Sequence, residues 1–159
     1  MWYATPGSPG ELIASIHIPA VAANTVVRCY KVAKRYDQDI SAVSAAFAVS
    51  LTDGHVTAAR LSFGGVADRP RRAKTAEAAM IGQPWSLATA RLGAAAAAAD
   101  ISPMDDVRGS ADYRRQVAAN LIERLWHDSS GATAFPTLDA LPSAAASLAR
   151  AVTLAGAAL

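Results

Sequence analysis

From Arg28 to Val43 the chain reads RCYKVAKRYDQDISAV, and its charges are packed more closely than a turn requires. Lys34 and Arg35 stand against Asp37 and Asp39, between two apolar runs, and Lys31 precedes them inside the first run. Mutual pairing at a surface would be worth little. An anionic or electron-rich ligand held over a sheet would give these charges a purpose, because fixed charges beside a cofactor tune its electronics. A solvated loop is the alternative reading of the same residues.

Other reactive side chains form weaker patterns. His17, His55 and His127 lack metal-ligand spacing, and no cysteine stands near enough in sequence to join them. Gly64-Gly65 invites a phosphate-loop reading, but neither GxGxxG nor GxxxxGK[ST] surrounds it, so a tight turn or close backbone approach is expected. Arg69, Arg71, Arg72 and Lys74 gather at the expected start of a helix, where cations are disfavoured. They read as a solvated basic face or as a docking surface for an acidic partner. Asp105 and Asp106 fit helix capping or solvent exposure. Cys29 is the one cysteine; it excludes an internal disulfide and reads as a small buried hydrophobe. No Ser-His-Asp or Cys-His arrangement is present to argue for nucleophilic catalysis.

The elements that must position these residues follow from periodicity. Leu12–Ile18 alternates, with Leu12, Ala14, Ile16 and Ile18 on one side, and predicts a half-buried strand ended by Pro19. Val26–Lys34 is expected as the second strand and Ile40–Leu51 as the third. The third has Val43, Ala45, Phe47, Val49 and Leu51 on its core face and only Ser and Ala between them from Ser44 to Ser50. Asp53-Gly54 predicts a tight hairpin into a fourth strand, His55–Phe63. Helices follow. A short one runs near Pro70–Met80 and closes at Gly82; a second follows Ser86 as N-cap, over Leu87–Ala99; a third follows Ser110. Strands first and helices afterwards predict an α+β fold: an antiparallel sheet of three to four strands, then three helices packed on one face.

The 159 residues suit one domain. Residues 1–11 read as an extended entry segment, 12–127 as the α+β domain, and 128–159 as an Ala/Ser-rich tail or linker. A net charge of +2 argues against nucleic acid or a membrane surface as partner. No apolar run approaches the roughly 18 residues of a membrane span. Met1–Pro6 carries no basic region ahead of an apolar one, so a cytoplasmic location is expected.

Four stretches, in order, resemble one family. PGELIASIHIP (9–19), RCYKVAKRYDQDISAV (28–43), LSFGGVADRPRRA (61–73) and SPMDDVRGSADYRRQVAANL (102–121) are similar to the C-terminal domain of the FAD-binding subunit of xanthine dehydrogenase and of carbon monoxide dehydrogenase, both molybdenum hydroxylases. The resemblance implies a domain that closes over FAD bound mainly by a preceding region. It implies electron flow from a molybdenum cofactor through 2Fe-2S clusters, on other domains or subunits, to the flavin and on to NAD. By motif position Ile13 and Lys31 would contact FAD, and Arg35, Asp37 and Asp39 would lie beside its ring. The KRYDQDISAV form leans towards xanthine dehydrogenase and purine metabolism. The family's Gly-rich N-terminal region does not precede these motifs here, so a piece of a larger flavoprotein is expected. A stand-alone α+β interaction module is the alternative.

Overall fold

The computed structural model describes Gly10, Leu12, residues 14–18, 20–35 and 38–131. Its elements are β1 (Thr25–Val32), β2 (Val43–Thr52), β3 (His55–Gly64), β4 (Arg71–Arg72), α1 (Lys74–Met80), α2 (Leu87–Ala96) with a 3-10 turn at Ala97–Ala99, and α3 (Ala111–Ser130). The four strands form one antiparallel sheet in the order β1-β2-β3-β4. The expected α+β architecture is therefore present.

The β2–β3 hairpin forms where the sequence places it. Asp53 and Gly54 take φ of 51° and 75°, the left-handed pair that matches the twist of two flanking strands. Alternation then sends Val43, Ala45, Phe47 and Val49 of β2 to one face, opposite Ala59, Leu61 and Phe63 of β3. A bulge interrupts the alternation. Ser50 faces Ala58 but Leu51 faces Val56, leaving Thr57 as the extra residue. This slip turns Val56 inward, where it is fully buried.

The helices cover that apolar face. α1 packs on β3, α3 on β2 and β1, and α2 on α1 and α3. Ser86 and Ser110 cap α2 and α3 through Thr89 N–H and Tyr113 N–H, each at 3.2 Å, as their sequence positions predict. Gly93 lets α2 come close to Met80, whose sulfur a β-carbon there would strike. Gly131, with φ of 67°, ends α3. Helix α3 thus runs through Asp128 to Ser130, past the expected tail boundary at 128, because Asp128 and Ser129 still hold partners in the sheet and at Trp85.

Other expectations give way. Leu12 and 14–18 form no strand; Leu12, Ile16 and Ile18 are 80%, 78% and 84% exposed, since no described strand pairs with them. β1 ends at Val32 and β2 begins at Val43, so the charged loop is longer than expected. Cys29 is exposed, because β1 is an edge strand and Cys29 points away from the helices. The arginine cluster does not start a helix: Arg71–Arg72 make β4, and Arg72 donates to the buried Glu77 of α1. The expected entry segment apart from Gly10, the residues Ile13 and Asp37, and the tail beyond Gly131 fall outside the described residues.

Candidate functional site

The sheet face turned away from the helices is the starting point. Its residues are those between the core positions: Val27, Cys29 and Lys31 on β1, then Ser44, Ala46, Ala48 and Ser50 on β2, with Ala58, Arg60, Ser62 and Gly64 on β3. On β2 these are all serine or alanine, so the middle of the face is flat. Lys31 lies opposite Ser44, and Ser44 opposite Gly64, so these three form one row across three strands. A β-carbon on Gly64 would stand 2.5 Å from Ser44 Oγ, so the serine hydroxyl takes up the space that glycine leaves in this row.

That row borders a cleft of about 490 Å³, lined by Ile40, Ser41, Ser44, Gly64, Gly65, Ala67–Pro70, Met104, Asp106, Arg108 and Arg114. Arg114 forms part of its wall and is the key to its shape. It is only 3% exposed. Its Nη1 donates to the carbonyl oxygens of Ala42 and Gly65, each at 2.7 Å, and its Nη2 donates to Asp106 Oδ1. One side chain thereby joins the start of β2, the Gly-Gly turn and the 104–109 loop. A buried guanidinium of this kind persists because its donors are matched and its charge is countered. The Asp106 carboxyl is held below the usual range, first by the amide N–H of Arg108 and then by Arg114.

The charged loop is tied down piece by piece. Lys34 Nζ donates to Val107 O at 2.7 Å, linking the loop to the cleft's far wall. Asp39 accepts from the Arg35 amide at 3.1 Å and pairs with its guanidinium at 3.6 Å. The amide bond is the main reason its carboxyl sits below its ordinary value, with the Arg35 side chain adding to it. Gln38 takes the left-handed conformation at the loop's tip, φ 51°. Thus Arg35 and Asp39 satisfy each other, while Lys34 turns elsewhere. Lys31 is exposed and has no hydrogen-bond or ion-pair partner among the described residues.

Behind Lys31, its neighbour Tyr30 points into the helical layer. The Tyr30 hydroxyl donates to Asp128 Oδ2 at 2.9 Å, and Arg124 lies 5.5 Å over the ring. Burial first, and the bond to Asp128 second, push the phenol well above its normal range.

Of the five residues named as flavin contacts, the structure places Lys31, Arg35 and Asp39 near one end of the sheet and brings Arg35 and Asp39 together. Ile13 and Asp37 lie outside the described residues. Sequence reasoning missed Arg114, because an arginine on a helix reads as surface. The available signal was its place in the turn of α3 that also carries buried Ala118. Asp105 does cap α3, accepting from Ala111 N–H at 2.6 Å, whereas Asp106 belongs to the cleft. His55 Nδ1 lies 3.0 Å from Asp53 O, and no cluster of metal-ligating side chains occurs among the described residues. No described helix is long and apolar enough to cross a membrane.

With that geometry in hand, the comparisons with known proteins are specific. The model of the CO dehydrogenase flavoprotein C-terminal domain matches residues 28–129. The chain belongs to that family. The glyceraldehyde dehydrogenase medium chain of Sulfolobus acidocaldarius is 32% identical over 126 residues, covering 79% of this chain and 44% of the relative. Xanthine dehydrogenase of Emericella nidulans is 36% identical over 124 residues, covering 76% of this chain and 9% of that protein. Among solved structures, a carbon monoxide dehydrogenase of Hydrogenophaga pseudoflava that lacks the Mo-pyranopterin moiety of its cofactor superposes with a TM-score of 0.66 at 29% identity, over 74% of this chain and 40% of that one. The chain therefore spans less than half the length of these relatives.

FAD is the group this family implies. The flat strip of small residues on β2, the glycine at the row's end and a lysine with no partner among the described residues fit a planar ring with an electron-rich edge. The sequence has no phosphate-cradling glycine motif for the pyrophosphate. The residues present fit the ring end of the cofactor.

Proposed function

We propose that this chain is the flavin-covering domain of a FAD subunit in a xanthine-dehydrogenase-type oxidoreductase. In this reading the preceding region holds the pyrophosphate, and partner subunits carry the molybdenum cofactor and iron–sulfur clusters. The observation that carries it is Lys31: an exposed ammonium without a partner among the described residues, on the sheet face that the described helices leave open, one strand from the cleft. Bound FAD supplies electron exchange. Lys31 offers a positive charge to the ring's electron-rich edge, and Ile13 an apolar contact. The Arg35–Asp39 pair sets a nearly neutral field beside it, and Asp37 adds a negative charge. The cleft, open next to this row, is the approach for the acceptor, NAD. The KRYDQDISAV form favours a purine as the parent enzyme's substrate, with carbon monoxide or another N-heterocycle as the alternatives, bound on another subunit.

The test is FAD titration of the full chain, with and without the N-terminal FAD-binding region of a related enzyme. Tighter binding by the pair than by either component alone, abolished by Lys31→Ala, supports the reading. If the chain adds nothing to flavin affinity, the small-residue face is a docking surface of an interaction module instead.

A further inference from the structure

We infer that Asp128 is a positioning residue that sets Lys31 through Tyr30, an inference that rests on the flavin-covering reading above. Among the described residues β1 is the outer strand of the sheet, paired only with β2. It must nonetheless hold Lys31 in place and launch the charged loop within a few residues. Tyr30 supplies the anchor. Adjacent strand residues point to opposite faces, so fixing Tyr30 into the helical layer fixes the direction in which Lys31 leaves the other face.

The anchor is well made. Tyr30 packs at a tilt against Phe47, 5.8 Å between ring centres and 59° between ring planes. Its hydroxyl donates to Asp128 Oδ2 at 2.9 Å, and Arg124 Nε reaches the same oxygen at 3.4 Å. The Asp128 carboxylate is thus shared by a residue of β1 and a residue of its own helix. Arg28 adds a long contact to the Asp128 carbonyl oxygen at 3.5 Å. The last turns of α3 hold the outer strand at the residue before the lysine.

The experiment is the same FAD titration on the full chain with the N-terminal region added. Asp128→Ala and Tyr30→Phe each lose about fivefold of the affinity gain, the scale of one hydrogen bond to a charged group passed on in part. Asp128→Asn keeps an acceptor for the Tyr30 hydroxyl and stays within about twofold of the parent. Glu123→Ala, which breaks only the exposed pair with Arg91, leaves affinity unchanged. If Lys31→Ala loses the gain while Asp128→Ala and Tyr30→Phe retain it, positioning is refuted and the covering reading stands. If Lys31→Ala is also silent, both fall. Amide exchange on the chain alone gives a readout without flavin: Asp128→Ala must speed exchange in Val27–Val32 and leave β3 as it was, and a uniform change across the sheet overturns the inference.

Discussion

Replacing Gly65 with alanine tests the cleft's construction directly. Gly65 sits at φ of 78°, where an L-residue costs about 1–2 kcal/mol. Its new β-carbon would stand 2.5 Å from the Ala42 carbonyl oxygen and 3.2 Å from Arg114 Nη1. Neither neighbour can simply retreat, because that nitrogen donates to that oxygen and also to Gly65 O. Overpacking against fixed atoms adds about 1–3 kcal/mol. The expected total is about 2–5 kcal/mol, a large share of the stability of a domain this size. Gly82→Ala is the internal control: its φ is 83°, with nothing within 4 Å of the built β-carbon, so it bears the conformational cost alone. Urea unfolding followed by tryptophan fluorescence compares the two. The Gly65 variant should be less stable than the Gly82 variant by about 1–3 kcal/mol at unchanged slope. Equal midpoints would refute the close approach and the role given to Arg114 in bracing the turn.

Further predictions concern the supporting structure. Phe47 packs edge-on against Phe63 at 5.1 Å, so Phe47→Ala should cost about 3–5 kcal/mol in the same urea assay; a loss below about 1 kcal/mol would contradict its central place. Asp100 accepts from the amides of Thr75 and Ala76 at 2.9 and 3.2 Å, capping α1 from a distant loop, so Asp100→Ala should cost about 0.5–2 kcal/mol, read as a lower thermal midpoint. The depressed Asp39 carboxyl stabilises the loop above about pH 4, its unfolded value, and that contribution vanishes as pH falls through the lower folded value. Asp39→Asn should therefore flatten the acid limb of Arg35 amide protection, and an unchanged limb would count against the turn. Tyr30 is raised, so its contribution is present below about pH 10 and is lost as pH climbs through its folded value. Ultraviolet titration should show one phenol resisting ionisation after the others, and Tyr30→Phe should remove that late step.

The β2–β3 hairpin was legible because two independent signals agreed there: strict alternation from Val43 to Val49 and an Asp-Gly pair at the tip. Helices α2 and α3 were legible through their serine caps. β4 was not, since two arginines become a strand only when Leu61–Phe63 lies alongside, a tertiary fact. The alternation from Leu12 to Ile18 showed which side chains seek cover, but period two does not say what covers them. Cys29 misled for a related reason: free cysteine favours interiors, yet an edge strand has an outward face to fill. The charged loop announced itself by composition. The cleft beside it depends on Arg114, whose two nearest carbonyl partners lie 49 and 72 residues away, and its place one turn before buried Ala118 is the one local sign of them.

The sheet's two borders are unequal. On the far side β4 is brief, and helix α1 completes the border with a side chain: Glu77 Oε1 accepts the Leu61 amide at 2.8 Å, while Leu61 O accepts from Ala73 N–H at 2.8 Å. A carboxylate there does what another strand's carbonyl would do, so that border offers an incoming chain nothing to bind at this position. On β1 the one such contact among the described residues is at Val27, whose carbonyl oxygen accepts from Arg28 Nη1 at 2.8 Å, and the rest of its outer edge has no side-chain stopper. Any lengthening of this sheet, whether within a larger flavoprotein or by unwanted self-association, is thereby directed to one flank, the flank that carries Lys31.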